Sequence, residues 1–262
     1  MIPTPGFPTT ICPRPDMEKL EIRNVSKSFD GKPVLEDISI TLRQGELVCL
    51  LGISGGGKTT LFNIISGLMK PDQGQVFLNG EEITGKPGRI SYMLQKDLLL
   101  PYRTIEDNIA LPLLLKGTSK KEARAQASAL FAEFGLEGTQ KQYPAQLSGG
   151  MRQRAALLRT YLFSQDVALL DEPFSALDTL TKSSVHRWYL EVMERIKLST
   201  FFITHDIDEA ILLSDRIYLL NGQPGRITDE IVIREPKPRS EDFNLTVEFL
   251  EYKKRILEKL YL

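Results

Sequence analysis

Gly52-Ile53-Ser54-Gly55-Gly56-Gly57-Lys58-Thr59 packs four glycines, a lysine and two hydroxyls into eight residues. It fits the phosphate-loop pattern G-x-x-x-x-G-K-[ST]. A backbone that wraps a triphosphate must turn successive N–H groups inward, and glycines permit that path. Lys58 offers a point charge to the β- and γ-phosphates, and the Thr59 hydroxyl offers an oxygen to Mg²⁺. Thr60 continues the same helix start. A second candidate is Asp171-Glu172, which closes a run of apolar residues. Two adjacent acids at a strand end suggest a division of labour, with Asp171 near a metal and Glu172 beside an attacking water. Ser148-Gly149-Gly150 forms a third. A serine followed by glycines at a helix start offers a helix cap and a further anion-binding end.

These residues need elements to hold them. Leu47–Leu51 is continuously apolar, as expected of a strand covered on both faces. After the glycines, Leu61, Ile64, Ile65 and Leu68 fall at helical spacing, and the helix stops near Pro71. Val167–Leu170, Phe201–Ile203 and Ile217–Leu220 read as further buried strands separated by helical patterns, which argues for a parallel sheet. Leu20, Ile22 and Val25, then Ile38, Ile40 and Leu42, alternate with polar residues like half-buried antiparallel strands. From about 96 to 165 there is no good strand. Ser119–Phe134 and Met151–Phe163 read as helices of an insertion. Pro236 and Pro238 mark a linker, after which Phe249, Tyr252, Ile256 and Leu260 predict a terminal helix docked on its own core, with a regulatory or partner-facing helix as the alternative.

Composition bounds the function. The 262 residues hold 33 Lys and Arg against 34 Asp and Glu, a net charge of −1, so the footprint of a nucleic-acid binder is missing. Cys12 and Cys49 cannot build a disulfide framework, and Cys49 reads as a small buried hydrophobe in a reducing compartment. No stretch approaches the roughly 18–20 apolar residues of a membrane helix. The proline-rich stretch 1–17 lacks the apolar core of a signal peptide and reads as a flexible tail. The expected location is cytoplasmic.

The ordered set Phe29, Gly52–Thr59, Gln95, Leu147–Gly150, Asp171-Glu172, Ser175 to Asp178 and His205 resembles the nucleotide-binding subunit of ABC transporters over about residues 18–234. The resemblance implies an α/β phosphate-loop NTPase core with a mixed parallel sheet, an antiparallel β subdomain and an inserted α-helical subdomain. It divides the chain into a tail (1–17), an ATPase domain (18–234, helical insertion at about 96–165) and a C-terminal linker and helix (235–262). It further implies ATP and Mg²⁺ as cofactors, with Phe29 stacking on adenine; the alternative for Phe29 is a core residue of its strand. Gly52, Ile53, Ser54, Gly55, Gly56, Gly57, Lys58, Thr59 and Thr60 would cradle the phosphates. Thr59, Gln95 and Asp171 would face the metal, Glu172 would act as general base, and His205 would bond the γ-phosphate. Ser148, Gly149 and Gly150 would reach the γ-phosphate held by a second, head-to-tail copy, and Asp178 would shape that interface. Met151 departs from the Gln of many members, a change the importer subgroup tolerates. His186 and Trp188 match nothing in the pattern and read as structural.

The stretches Ser91–Thr104 and Ser214–Ile227 resemble the nitrate/sulfonate/taurine class of bacterial importers, which also includes subunits serving pyrimidine precursors of thiamine. The resemblance implies a cytosolic ATPase on the inner face of the cell membrane. It would drive uptake of a small solute through a permease fed by an external binding protein. The segment after Gln95 (Leu98–Asn108) would transmit the motion. The alternative is a soluble ABC-type ATPase of a macromolecular assembly system. A coiled-coil insertion of the repair type and a second cassette of the translation type are both missing. A sensor without turnover is disfavoured by the presence of Glu172.

Overall fold

A computed structural model describes residues 18–261, apart from 54, 165, 176–178, 238 and 241. In chain order the strands are β1 (Glu18–Phe29), β2 (Lys32–Arg43), β3 (Leu47–Gly52), β4 (Gln73–Leu78), β5 (Glu81–Glu82), β6 (Ser91–Met93), β7 (Val167–Asp171), β8 (Ser199–Thr204), β9 (Arg216–Asn221) and β10 (Arg226–Val232). The helices are α1 (Lys58–Ile65), α2 (Ile105–Ile109), α3 (Leu111–Leu115), α4 (Lys120–Ala129), α5 (Gly149–Phe163), α6 (Thr179–Ile196), α7 (Ile207–Leu213) and α8 (Val247–Tyr261).

The core sheet runs β10-β9-β3-β8-β7-β6, with β6 to β9 and β3 mutually parallel and β10 antiparallel at one edge. Burial on both faces explains its uninterrupted apolar runs. Side chains alternate across a strand, and the core divides accordingly. Val48, Leu50, Leu169, Phe201, Ile203 and Leu220 pack toward α1 and the antiparallel sheet. Cys49, Leu51, Leu170, Phe202 and Leu219 pack toward the helices on the opposite face. Cys49 is fully buried, as its apolar neighbours predict, and burial raises its thiol pKa well above normal.

The antiparallel sheet has the order β2-β1-β4-β5. Arg216, 5% exposed, fastens the two sheets together. Its guanidinium donates to Glu46 at 2.5 and 2.8 Å, to the Thr41 carbonyl at 2.9 Å and to Glu230 at 2.9 Å. Burial disfavours its charge, and the two carboxylates more than offset that, holding its pKa above the ordinary arginine value.

The helical arm, α2 to α5, leaves the core after β6 and returns before β7. Asn108, fully buried, ties its first segment by donating to the carbonyls of Leu100, Arg103 and Thr104 and accepting from Leu100 N. Arg159 of α5 donates to the carbonyls of Leu98 and Asp97, and Arg152 of α5 pairs with the Asp97 carboxylate at 3.2 Å. The loop that follows Gln95 is therefore bolted to α5. At the C-terminus, α8 buries Phe249, Ile256 and Leu260 against the core, matching the docked terminal helix.

The helix after the glycine loop ends earlier than its apolar spacing suggests. Gly67 takes φ +79° and its N–H bonds to Ile64 O, a left-handed cap. Leu68 therefore lies beyond α1 and is exposed rather than buried. α4 likewise stops at Ala129, short of the predicted Phe134. Strands β4, β5, β6 and β10 are additional to the strands expected from the sequence. No helix among the described residues is long and apolar enough to cross a membrane.

Candidate active site

The parallel register brings Gly52, Asp171 and Thr204 to the same edge, since Leu51 lies opposite Thr204 and Asp171 opposite Ile203. That edge, at the carboxyl ends of the strands, is where open α/β sheets bind ligands. The glycine loop joins β3 to α1 there. A side chain at Gly52 would meet the Leu220 carbonyl at 2.4 Å, and one at Gly57, where φ is +92°, would meet Leu35 at 2.7 Å. Glycine is thus required at Gly52 by the close approach of backbone and at Gly57 by φ.

Lys58 opens α1 and is 7% exposed. Its ammonium bridges the loop, donating to the carbonyls of Gly52 at 2.8 Å and Ile53 at 2.9 Å. Burial lowers its pKa, while the charges of Glu172 and Asp171 pull the other way. Thr59 lies next to it, its hydroxyl 3.4 Å from Asp171 Oδ2. Thr60 follows within α1. Ser54 lies outside the described residues.

Asp171 ends β7 and is 7% exposed. Burial, then the Glu172 charge, raises its carboxyl pKa; hydrogen bonds from Thr59 and Tyr92 oppose the rise. The Tyr92 hydroxyl stands 3.4 Å away. Its phenol is pushed well up, first by burial and then by the Asp171 charge. Sequence reasoning named no role for Tyr92; its strand, β6, is three residues long and carries no readable period. A buried carboxylate beside a second one and a threonine hydroxyl is a hard-oxygen set suited to a divalent cation. Among the described residues no group of three or more His, Cys, Asp or Glu could hold a metal. Phosphate oxygens and water would therefore have to complete its shell.

Glu172 follows with φ +46°, a left-handed conformation uncommon for a residue with a side chain. Its N–H bonds to Ile203 O at 3.0 Å, fixing the turn against β8. Gln95 Nε2 donates to one carboxylate oxygen at 2.9 Å, and His205 Nδ1 lies 3.1 Å from the other. A carboxylate only accepts, so this contact assigns the proton to Nδ1. A carboxylate held open between two donors, at the same strand edge as the glycine loop, can align a water and take its proton.

Phe29 ends β1 and is 42% exposed, with the Lys27 ammonium 5.6 Å from its ring centre. Exposure rules out the alternative of a core strand residue and leaves a face for stacking. Ser148 caps α5 by accepting the N–H of Met151, and Gly149 and Gly150 begin that helix. Among the described residues, Ser148 bonds only within α5, accepting from the N–H groups of Met151 and Arg152. Asp178 lies outside the described residues.

A glycine loop, two strand-end acids and a flanking Gln and His, on a parallel sheet, fit a nucleoside triphosphatase. The chain belongs to the ABC transporter family, whose model matches residues 35–175, and it is an ATPase of that family. Among its relatives is the formylaminopyrimidine import ATP-binding protein ThiZ of Halalkalibacterium halodurans, 43% identical over 92% of this chain and 94% of that one. The nitrate import ATP-binding protein NrtD of Synechocystis is 36% identical over 90% of this chain and 93% of its own length. The fold matches the dimeric, post-hydrolysis cassette MJ0796 bound to ADP and Pi, with TM-score 0.70 and 28% identity over 83% of this chain and all of that one.

Proposed function

We propose that the chain is the ATP-hydrolysing subunit of an importer, acting as a head-to-tail homodimer on the cytoplasmic face of a membrane permease. The solute belongs to the sulfonate, nitrate, taurine or pyrimidine-precursor class and is delivered by an external binding protein. The observation that carries the reading is a continuous connection from the site to an exposed surface. Gln95 bonds Glu172, and the loop after Gln95 is fastened to α5 by Arg152 and Arg159. That loop presents Tyr102, 93% exposed, with Leu98 and Leu100 beside it. Exposed apolar clusters of this kind mark contact sites.

In this reading Phe29 stacks on adenine. The loop Gly52–Thr60 and the start of α1 hold the phosphates, and Lys58 bonds the β- and γ-phosphates. Thr59 and Asp171 would hold Mg²⁺ with Gln95 beside them. When bound, the cation neutralises charge on the phosphates. Glu172 takes the proton of a water aligned on the γ-phosphorus, and His205 bonds the γ-phosphate. Ser148, Gly149 and Gly150 supply N–H groups to the γ-phosphate of the apposed copy, so nucleotide holds two copies together and hydrolysis releases them. The helical arm moves with that release and pulls on the permease through the loop after Gln95.

The test is affinity capture of the tagged chain from detergent-solubilised membranes of the native organism. Recovery of a polytopic permease is the expected outcome, and its binding-protein companion then identifies the solute. A chain absent from membranes and captured only with soluble partners would favour an assembly ATPase instead.

A further inference from the structure

His186 of α6 has no counterpart in the nucleotide-binding pattern, yet its ring touches the supports of both Glu172 and His205. On one side it stands at 76° to the ring of Phe174, with centroids 4.7 Å apart. Phe174, 3% exposed, lies two residues past Glu172. On the other side, His186 Nε2 is 3.2 Å from Glu209 Oε1 and serves as the donor there. Glu209 is 3% exposed, and its second oxygen accepts the Thr204 hydroxyl at 2.5 Å. Thr204 immediately precedes His205, and its oxygen accepts the N–H of Asp206, the next residue, at 3.1 Å. Lys182, one helical turn before His186, lies 3.3 Å from Asp206 and 3.5 Å from Glu209. Both chain neighbours of His205 are therefore tied to one buried carboxylate.

We propose that His186, acting through Glu209 and Thr204, is a positioning residue for hydrolysis. It sets the turn that carries Glu172 against the loop that carries His205. The inference rests on the reading of those two as the hydrolytic pair. The left-handed backbone of Glu172 persists only where its surroundings hold it. His186 supplies one such wall through Phe174 while bracing the opposite strand end through Glu209. A buried carboxylate also requires partners, so loss of the imidazole would shift Glu209 and with it Thr204 and His205. Small misplacements of reacting groups are costly in rate and leave distant binding contacts intact.

Steady-state ATP hydrolysis by the full-length chain tests this, with His186→Leu, His186→Gln, Thr204→Val and Glu172→Gln measured together. The expected result for His186→Leu is a kcat lower by about tenfold, with KM for ATP close to the parent's. His186→Gln restores most of the rate because its amide can donate to Glu209. Thr204→Val repeats the kcat loss from the other end of the chain of bonds, and it decides alone if His186→Leu does not fold. Parental kcat in His186→Leu and Thr204→Val overturns the inference. A His186→Gln as slow as His186→Leu, with both melting temperatures lowered in step, also overturns it. If Glu172→Gln hydrolyses at the parental rate, the reading of the site fails and this inference fails with it. If Glu172→Gln is inert while His186→Leu is unimpaired, only this inference falls.

Discussion

Glu172→Gln is expected to bind ATP and to turn it over about 10²–10⁴-fold more slowly than the parent, the range for loss of a general base. The substitution is nearly isosteric, so the turn that follows β7 can keep its shape. Its chemistry changes in one respect. The carboxylate accepts from Gln95 Nε2 at 2.9 Å and from His205 Nδ1 at 3.1 Å, and retains lone pairs for a water. The amide has one accepting oxygen, and its nitrogen must face one of those donors. It cannot take a proton. Because phosphate binding rests on other groups, the ATP-loaded form should accumulate as dimers, visible by light scattering on a sizing column. Wild-type turnover in this variant would remove Glu172 from the role of base.

Lys58→Ala acts one step earlier. Its ammonium is buried at the start of α1, and burial lowers its pKa, so the charge sits where it is poorly solvated by water. A phosphate would replace or join the carbonyls of Gly52 and Ile53 as its partner. A hydrogen bond to a charged group contributes about 1.5–3 kcal/mol, so ATP affinity should fall about 10- to 100-fold. Isothermal titration with ATP and Mg²⁺ measures this directly, with circular dichroism to check the fold. Unchanged affinity would refute the assignment of Lys58 to the phosphates.

The chemistry of the loop and of Asp171-Glu172 was legible because it depends on residue type at short spacing. The buried strands β3, β7, β8 and β9 were legible because burial on both faces leaves a continuous apolar run in each. The ending of α1 was not, because Leu68 continues the apolar spacing while Gly67 turns the backbone. Tyr92 escaped notice because its contact with Asp171 joins residues 79 apart in sequence. The same holds for His186 and Glu209, which are 23 residues apart and meet only when α6 packs beside α7. Such pairs exist through tertiary packing, and no local pattern announces them. Phe29 needed the structure for a different reason: an aromatic residue at a strand end can face the core or solvent, and only its exposure decides.

The central claim is that each hydrolytic site is shared between two copies, with the glycine loop from one and Ser148 from the other. Mixing two inactive variants tests it most directly. Lys58→Ala disables the loop. Ser148→Asp keeps a good helix cap but sets a carboxylate against the γ-phosphate of the apposed copy. Each alone spoils both sites of its dimer. In an equimolar mixture half of the dimers are mixed, and each mixed dimer holds one intact site, so about a quarter of the parental ATPase rate should return. A mixture no more active than the mean of its two components would contradict the account.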